Sequence, residues 1–112
     1  DGEVYAHLNV CRHRGSHICL ETQGQVKKLV CPYHQWVYEK DGTLASAKFM
    51  QADFDKTQFP LRSIHCRVLE GLIFICFDPN PPDFGVLETA YKAHMEPYQF
   101  EKTKVAHSAR IL

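Results

Sequence analysis

Two cysteine–histidine pairs are the residues of this sequence best suited to chemistry. Cys11 and His13 are separated by one residue and Cys31 and His34 by two, with positions 14–30 between the pairs. Thiolate and imidazole are ligands for zinc and for iron, and a thiolate beside an imidazole can also act as a nucleophile. The alternatives are therefore a zinc site, an iron–sulfur cluster, a catalytic dyad or an accident of composition.

The distribution of the two residue types separates these alternatives. A zinc finger usually takes its cysteines from a hairpin and its histidines from a helix, whereas each segment here offers one of each and no helical pattern follows Cys31. A catalytic dyad would leave the other two residues unexplained. A Rieske centre needs both types, because two thiolates bind one iron and two imidazoles bind the other. The pattern favours a Rieske-type 2Fe–2S cluster held by Cys11, His13, Cys31 and His34.

Short strand patterns surround the two pairs. Val10 comes directly before Cys11, and an apolar pair at 29–30 comes directly before Cys31. Each pair is therefore predicted to lie on a loop at the end of a strand, where the two loops can face each other. Strand patterns cover residues 3–10, 25–31, 35–46 and 63–78, with turns at 40–43 and at 70–71.

The remainder of the sequence completes a mostly β fold. Three prolines within residues 78–85 interrupt the strand pattern, since proline removes a backbone donor and fixes φ. Apolar residues at helical spacing follow, and Pro97 ends that helix. Residues 102–112 return to a strand pattern. The predicted fold is a small antiparallel β-sandwich or barrel, followed by a short helix and the start of a further strand.

Other apolar residues are predicted to serve packing. Three cysteines outside the pairs are expected to be buried as small hydrophobic residues, namely Cys19, Cys66 and Cys76. Three aromatic residues are expected to anchor the loop at 48–63, namely Phe49, Phe54 and Phe59.

Composition excludes several classes of function. Thirteen basic residues balance thirteen acidic ones, so that neither a nucleic acid nor an anionic membrane is an expected partner. The longest apolar run, Leu72–Phe77, is far too short to cross a membrane. Five cysteines are an odd number, which argues against a disulfide-bonded secreted domain and for a cytoplasmic protein. The chain starts with Asp1 and ends within a strand pattern, so we expect a piece of a longer protein.

The two segments resemble a known family. "CRHRG" at 11–15 and "CPYHQW" at 31–36 are similar to the Rieske domain of the large (alpha) subunit of ring-hydroxylating, non-haem iron oxygenases. The sequence departs from the family form at Gln35, where glycine is commoner. "KDGTL" and "VLEGLIFI" resemble the branch that oxidises quaternary ammonium compounds, to which glycine betaine and choline monooxygenases belong.

The resemblance implies electron transfer to a second iron. It implies that an NAD(P)H-dependent reductase, or a ferredoxin, supplies electrons to the 2Fe–2S cluster. The receiving mononuclear Fe(II) would be held by two histidines and a carboxylate beyond residue 112. It further implies a homotrimer in which His13 and His34 face a neighbouring subunit. Trp36 is itself expected to pack under the cluster loop and to shield the cluster from water. Residues 1–80 would form the Rieske domain, and residues 81–112 would lead to a catalytic domain.

Two other classes of Rieske protein match the sequence less well. A stand-alone Rieske ferredoxin, an electron carrier, is the main alternative, but such proteins generally lack the context of Tyr33 and Trp36. A respiratory Rieske protein carries two further cysteines, which would fall at Ser16 and Tyr33 here. The oxygenase is the favoured interpretation.

Overall fold

Six short antiparallel strands and one α-helix are the main regular elements of residues 2–108, the part of the chain that the computed structural model describes. The mostly β prediction is confirmed. The elements are β1 (Ala6–His7), β2 (Leu29–Val30), β3 (Val37–Tyr38), β4 (Leu44–Ser46), β5 (Ser63–Leu69), β6 (Leu72–Cys76) and α1 (Phe84–Met95). Two units are distinguished, Asp1–Ile64 and His65–Leu112.

The first unit contains the sheet β2–β3–β4, in which the second cysteine–histidine segment connects β2 to β3. Strands β3 and β4 form a hairpin around the predicted Asp-Gly turn, where Gly42 has a φ of 91°. Asp41 fixes the turn by accepting hydrogen bonds from the backbone N–H (2.9 Å) and hydroxyl (2.7 Å) of Thr43. Val37 pairs with Ser46 and Tyr38 pairs with Leu44, so that Ala45 is an extra residue on β4. Such a β-bulge bends the strand locally.

The core of the first unit is built from the loops as much as from the strands. Both cysteines of the predicted site belong to it, together with the tryptophan directly before β3 and the tyrosine within β3. Its buried members are Cys11, Ile18, Cys31, Trp36, Tyr38, Leu44 and Leu61, with Leu29, Ala47, Phe54 and Phe59 packed against them. Because the core contains the predicted ligands, folding of this unit is expected to depend on whatever the cysteines bind.

The second sheet, of order β1–β5–β6, is completed by a hairpin. At its start β5 pairs with β1 through Ser63 and Ile64, and from His65 onward it pairs with β6. The predicted turn is confirmed, since Glu70 and Gly71 both have a left-handed backbone, with φ of 47° and 80°. Two consecutive left-handed residues make the tight turn that suits the twist of a β-hairpin.

The predicted helix of the second unit is confirmed and spans Phe84–Met95. Asp83 caps it by accepting a hydrogen bond (2.9 Å) from the backbone N–H of Gly85, and Pro97 lies in a 3-10 turn directly after it. Residues 103–108 contain no strand, and the rest of the predicted last strand, 109–112, lies outside the described residues. Over residues 2–108, no helix combines the length and the apolar character that crossing a membrane requires.

Three packing predictions need correction. Phe54 and Phe59 anchor their loop on the core, but Phe49 is 88% exposed and anchors nothing. Cys19 is exposed rather than buried, since it lies outside the strands in a loop whose backbone N–H and carbonyl at this position are bound by the side chain of Asn9. Cys66 and Cys76 are only half-buried. They lie on neighbouring strands of the β5–β6 hairpin and line a groove of about 870 Å³ beside α1.

Candidate metal centre

The first cysteine–histidine pair lies on a tight loop that closes on itself. In this loop I (residues 11–16), the backbone N–H of Cys11 donates to the carbonyl of Ser16 at 2.8 Å. The N–H of Gly15 donates back to the carbonyl of Cys11 at 3.0 Å. Gly15 has a φ of 72°, a left-handed conformation that glycine adopts without a steric penalty. The loop therefore presents its middle residues, including His13, on a fixed turn.

The second pair lies on a loop with the same hydrogen bonds. In this loop II (residues 31–36), the N–H of Cys31 donates to the carbonyl of Trp36 at 2.8 Å, and the N–H of Gln35 donates to the carbonyl of Cys31 at 3.0 Å. Gln35 occupies the position equivalent to Gly15 and is also left-handed, with a φ of 58°. The departure from glycine noted in the sequence thus falls on a position where the backbone favours glycine.

The four predicted ligands form two kinds of pair. Cys11 and Cys31 are each 2% exposed and belong to the same core cluster. The rings of His13 and His34 meet edge to face, with 4.6 Å between their centroids. Both imidazoles are half-buried, so that the histidines form the outer side of the arrangement and the thiols the inner side. The structure brings all four residues onto two matching loops of one unit.

His13 has a buried nitrogen that lacks a partner. Its Nδ1 is fully inaccessible and has no hydrogen bond within the part of the chain that the structure describes. A buried polar atom of this kind is costly unless another group binds it. Burial of the ring, then the neighbouring His34 and Arg14, lower the pKa of His13. The imidazole is thereby kept neutral, which is the form that binds a metal.

Trp36 covers one face of His13. The indole and the imidazole are nearly parallel, at 10° with 4.8 Å between centroids, and the indole is 1% exposed. On its other sides Trp36 contacts Phe54 and Phe59. The predicted shielding role of Trp36 stays a prediction, but its burial and its contact with His13 are what that role requires.

Tyr38 links the two loops, a role that was not predicted from the sequence. Its hydroxyl accepts a hydrogen bond from the backbone N–H of Arg12 (3.0 Å) and lies 3.3 Å from the sulfur of Cys11. Because a thiolate can only accept, the hydroxyl donates to the sulfur when Cys11 is ionised. Burial, and then the bond to Cys11, raise the pKa of Tyr38, so that it keeps its proton. Its spacing from Trp36, two positions along a strand, was the available signal, because such residues share a face.

Tyr33 and four further histidines are exposed and lie outside the set of predicted ligands. Tyr33 is 60% exposed, and its ring lies against His34 with 3.8 Å between centroids. It therefore covers one side of the His34 ring. Four histidines outside the two loops are exposed, namely His17, His65, His94 and His107.

The donor set fits a bridged two-iron cluster. Among residues 2–108, no three side chains of histidine, cysteine, aspartate or glutamate converge closely enough to hold a single metal ion. A 2Fe–2S cluster of the Rieske type does not need such convergence, since it takes two thiolates on one iron and two imidazoles on the other. Buried thiols, adjacent imidazoles and the unpartnered Nδ1 of His13 meet that requirement.

Comparison with known proteins agrees with this chemistry. Residues 1–66 match the Rieske [2Fe-2S] domain family. The chain is 48% identical over 112 residues to the glycine betaine monooxygenase oxygenase subunit of Pseudomonas aeruginosa, covering 99% of this chain and 26% of that protein. The chain thus spans about a quarter of the length of this relative.

Solved structures show the same fold. Naphthalene 1,2-dioxygenase from Rhodococcus sp. superposes with a TM-score of 0.77 at 30% identity, covering 85% of this chain and 23% of that one. The quaternary ammonium Rieske monooxygenase CntA superposes with a TM-score of 0.72 at 26% identity, covering 81% and 26%. The predicted resemblance to oxygenase alpha subunits is confirmed, and with it the 2Fe–2S cluster as the cofactor of the domain. The chain belongs to the Rieske [2Fe-2S] domain family and matches the Rieske region of oxygenase alpha subunits.

Proposed function

We propose that this chain is the electron-transfer domain of a Rieske oxygenase and that Cys11, Cys31, His13 and His34 hold its 2Fe–2S cluster. The observation that carries the assignment of ligands is the buried, unpartnered Nδ1 of His13 beside the ring of His34. The two buried thiols on matching loops support it. The bound cluster would accept and release one electron at a time.

The side chains of this unit prepare the site in three ways. Burial and neighbouring positive charge keep His13 neutral, so that no proton has to leave before it binds metal. Tyr38 can donate a hydrogen bond to the sulfur of Cys11, which spreads the negative charge of the thiolate. Trp36 excludes water from one face of His13.

The proposal extends to the longer protein of which such domains are part. Residues 1–80 would form the Rieske domain and residues 81–112 would lead to a catalytic domain that holds mononuclear iron. The reductant would be an NAD(P)H-dependent reductase or a ferredoxin in the cytoplasm, and the half-buried imidazoles would face a neighbouring subunit of a homotrimer. Similarity to a glycine betaine monooxygenase supports a quaternary ammonium compound as the substrate.

Metal and sulfide analysis tests the cluster and its ligands. Protein produced with iron available is expected to contain about two irons and acid-labile sulfide per chain, with an EPR signal after reduction. Cys11→Ser and Cys31→Ser should abolish this signal, whereas Cys66→Ser, a matched control on β5, should keep it. Stoichiometric zinc in place of iron, or loss of the signal in Cys66→Ser, would contradict the assignment.

The substrate class needs the full-length oxygenase. With a reductase present, consumption of O₂ and NAD(P)H is expected to depend on glycine betaine or a related quaternary ammonium compound. A protein that consumes O₂ only with an aromatic substrate would overturn the substrate proposal while leaving the cluster proposal intact.

A further inference from the structure

Gln35 has a backbone conformation that its own side chain disfavours. Its φ of 58° matches that of Gly15 in loop I, where the absence of a Cβ removes the conflict. A residue with a Cβ is unfavourable in this left-handed region. A disfavoured conformation that persists beside a functional site points to a use for the side chain that causes it.

In the structure, the side chain of Gln35 forms a hydrogen bond with a cationic group. Lys48 Nζ donates to Gln35 Oε1 at 2.7 Å. Lys48 reaches this position because β3 and β4 are antiparallel, with Val37 opposite Ser46. Lys48, two residues beyond Ser46, therefore lies at the end of the hairpin where loop II ends and β3 begins. The lysine is exposed, and the glutamine holds its end group against the loop that carries His34.

No carboxylate neutralises this lysine. Within residues 2–108, the single ion pair joins Lys28 and Glu39 at 2.6 Å. The charge of Lys48 therefore acts on its surroundings without an opposing charge in contact. Arg12 and Arg14, which flank His13, add to the positive character of the two loops.

We propose that Gln35 is a positioning residue that holds the ammonium group of Lys48 beside loop II, where its positive charge raises the reduction potential of the cluster. The inference rests on the proposed function, since it requires a 2Fe–2S cluster on these loops. One-electron reduction adds a negative charge to the site, and a fixed positive charge nearby favours the reduced form.

Coulomb's law sets the size of the effect. For charges about 10 Å apart, the equilibrium between oxidised and reduced cluster changes by about twofold in water and by about 17-fold at an effective dielectric constant of 20. Because a tenfold change corresponds to about 59 mV for one electron, these limits correspond to potential shifts of about 18 mV and about 72 mV. Because Lys48 is exposed, the effect should shrink as salt is added and the Debye length falls.

Three lysine variants test the charge. In Lys48→Met, the reduction potential measured by voltammetry at low ionic strength should fall by an amount within this range, and the difference should close in high salt. Lys48→Arg keeps the positive charge, so its reduction potential should be close to that of the wild type. Lys40→Met is the matched control, because it removes a lysine from the turn at the opposite end of the β3–β4 hairpin, and it should change the potential less.

A double-mutant cycle tests whether Gln35 acts through Lys48. Gln35→Gly should lower the potential and raise thermal stability in the wild type, but should change only the stability when Lys48→Met is already present. An unchanged potential in Lys48→Met, with iron, sulfide and EPR signal intact, would overturn this inference alone. Absence of a cluster from the wild type would overturn the proposed function instead.

Discussion

The hydroxyl of Tyr38 lies 3.3 Å from the sulfur of Cys11, although 27 positions separate the two residues along the chain. The contact arises because β3 begins directly after loop II and directs Trp36 and Tyr38 to the same face. Trp36 then stacks on His13, and Tyr38 reaches Cys11 and the backbone of Arg12. The strand that leaves one loop therefore fixes the position of the other.

Tyr38→Phe removes this connection and keeps the ring. The variant leaves the N–H of Arg12 without its acceptor and the sulfur of Cys11 without its donor, so that the free energy of unfolding should fall by about 1 to 3 kcal/mol. The reduction potential should also fall, because a hydrogen bond to the thiolate favours the more negative, reduced state. Urea denaturation and voltammetry measure the two effects.

Tyr33→Phe is the matched control for this change. Its ring lies against His34 and is 60% exposed, so removal of its hydroxyl should leave stability nearly unchanged. Equal losses of stability in the two variants would argue against a special role for the Tyr38 hydroxyl.

Trp36→Ala should be among the most destabilising substitutions in the chain. The indole is 1% exposed and contacts His13, Phe54 and Phe59, and truncation of a buried aromatic residue costs about 3 to 5 kcal/mol. Phe49→Ala is the control, since that ring is 88% exposed and its loss should leave the free energy of unfolding nearly unchanged. Thermal unfolding followed by circular dichroism compares the two. Similar melting temperatures would contradict the assigned core.

The sequence allowed the mostly β fold, the two turns and the cysteine–histidine loops to be predicted, because each depends on local chemistry. The Asp-Gly turn at Gly42 is an example, since the residue types themselves select the backbone. Tertiary packing decided the features that were missed. Phe49 resembles Phe54 in sequence, yet only Phe54 reaches the core. Spacing places Tyr38 on the same face as Trp36, but it does not specify which atoms Tyr38 and Lys48 contact, because that depends on strand register and loop position.

Gly42→Ala should destabilise the first unit more than Gly15→Ala does. Both glycines are left-handed, with φ of 91° and 72°, so that a side chain costs about 1 to 2 kcal/mol at either position. A Cβ on Gly42 would also lie 2.7 Å from Cε1 of His7, whereas one on Gly15 would meet nothing within 4 Å. The clash should add about 1 to 3 kcal/mol. Urea denaturation of the two variants tests this order, and a larger loss for Gly15→Ala would contradict it.

The protein should lose stability in acid, because protonation of Asp41 and Asp55 weakens the hydrogen bonds that their carboxylates accept. Hydrogen bonds from the N–H and hydroxyl of Thr43 lower the pKa of Asp41, and those from the hydroxyl and N–H of Thr57 lower the pKa of Asp55. As the pH falls below about 4, where an unfolded aspartate titrates, the unfolded chain takes up protons that the folded chain still refuses. The unfolded state then binds more protons, so the free energy of unfolding decreases as the pH falls.

The contribution of these groups is therefore complete above pH 4 and is lost as the pH passes through the lowered pKa values of the folded state. Asp41→Asn and Asp55→Asn test this, because an amide oxygen can accept the same hydrogen bonds but does not titrate. The double variant should lose less stability between pH 4 and strongly acidic solution than the wild type. Urea denaturation over this pH range, with cluster absorbance followed separately, measures the difference. An equally steep decline in the double variant would show that other groups cause the acid sensitivity.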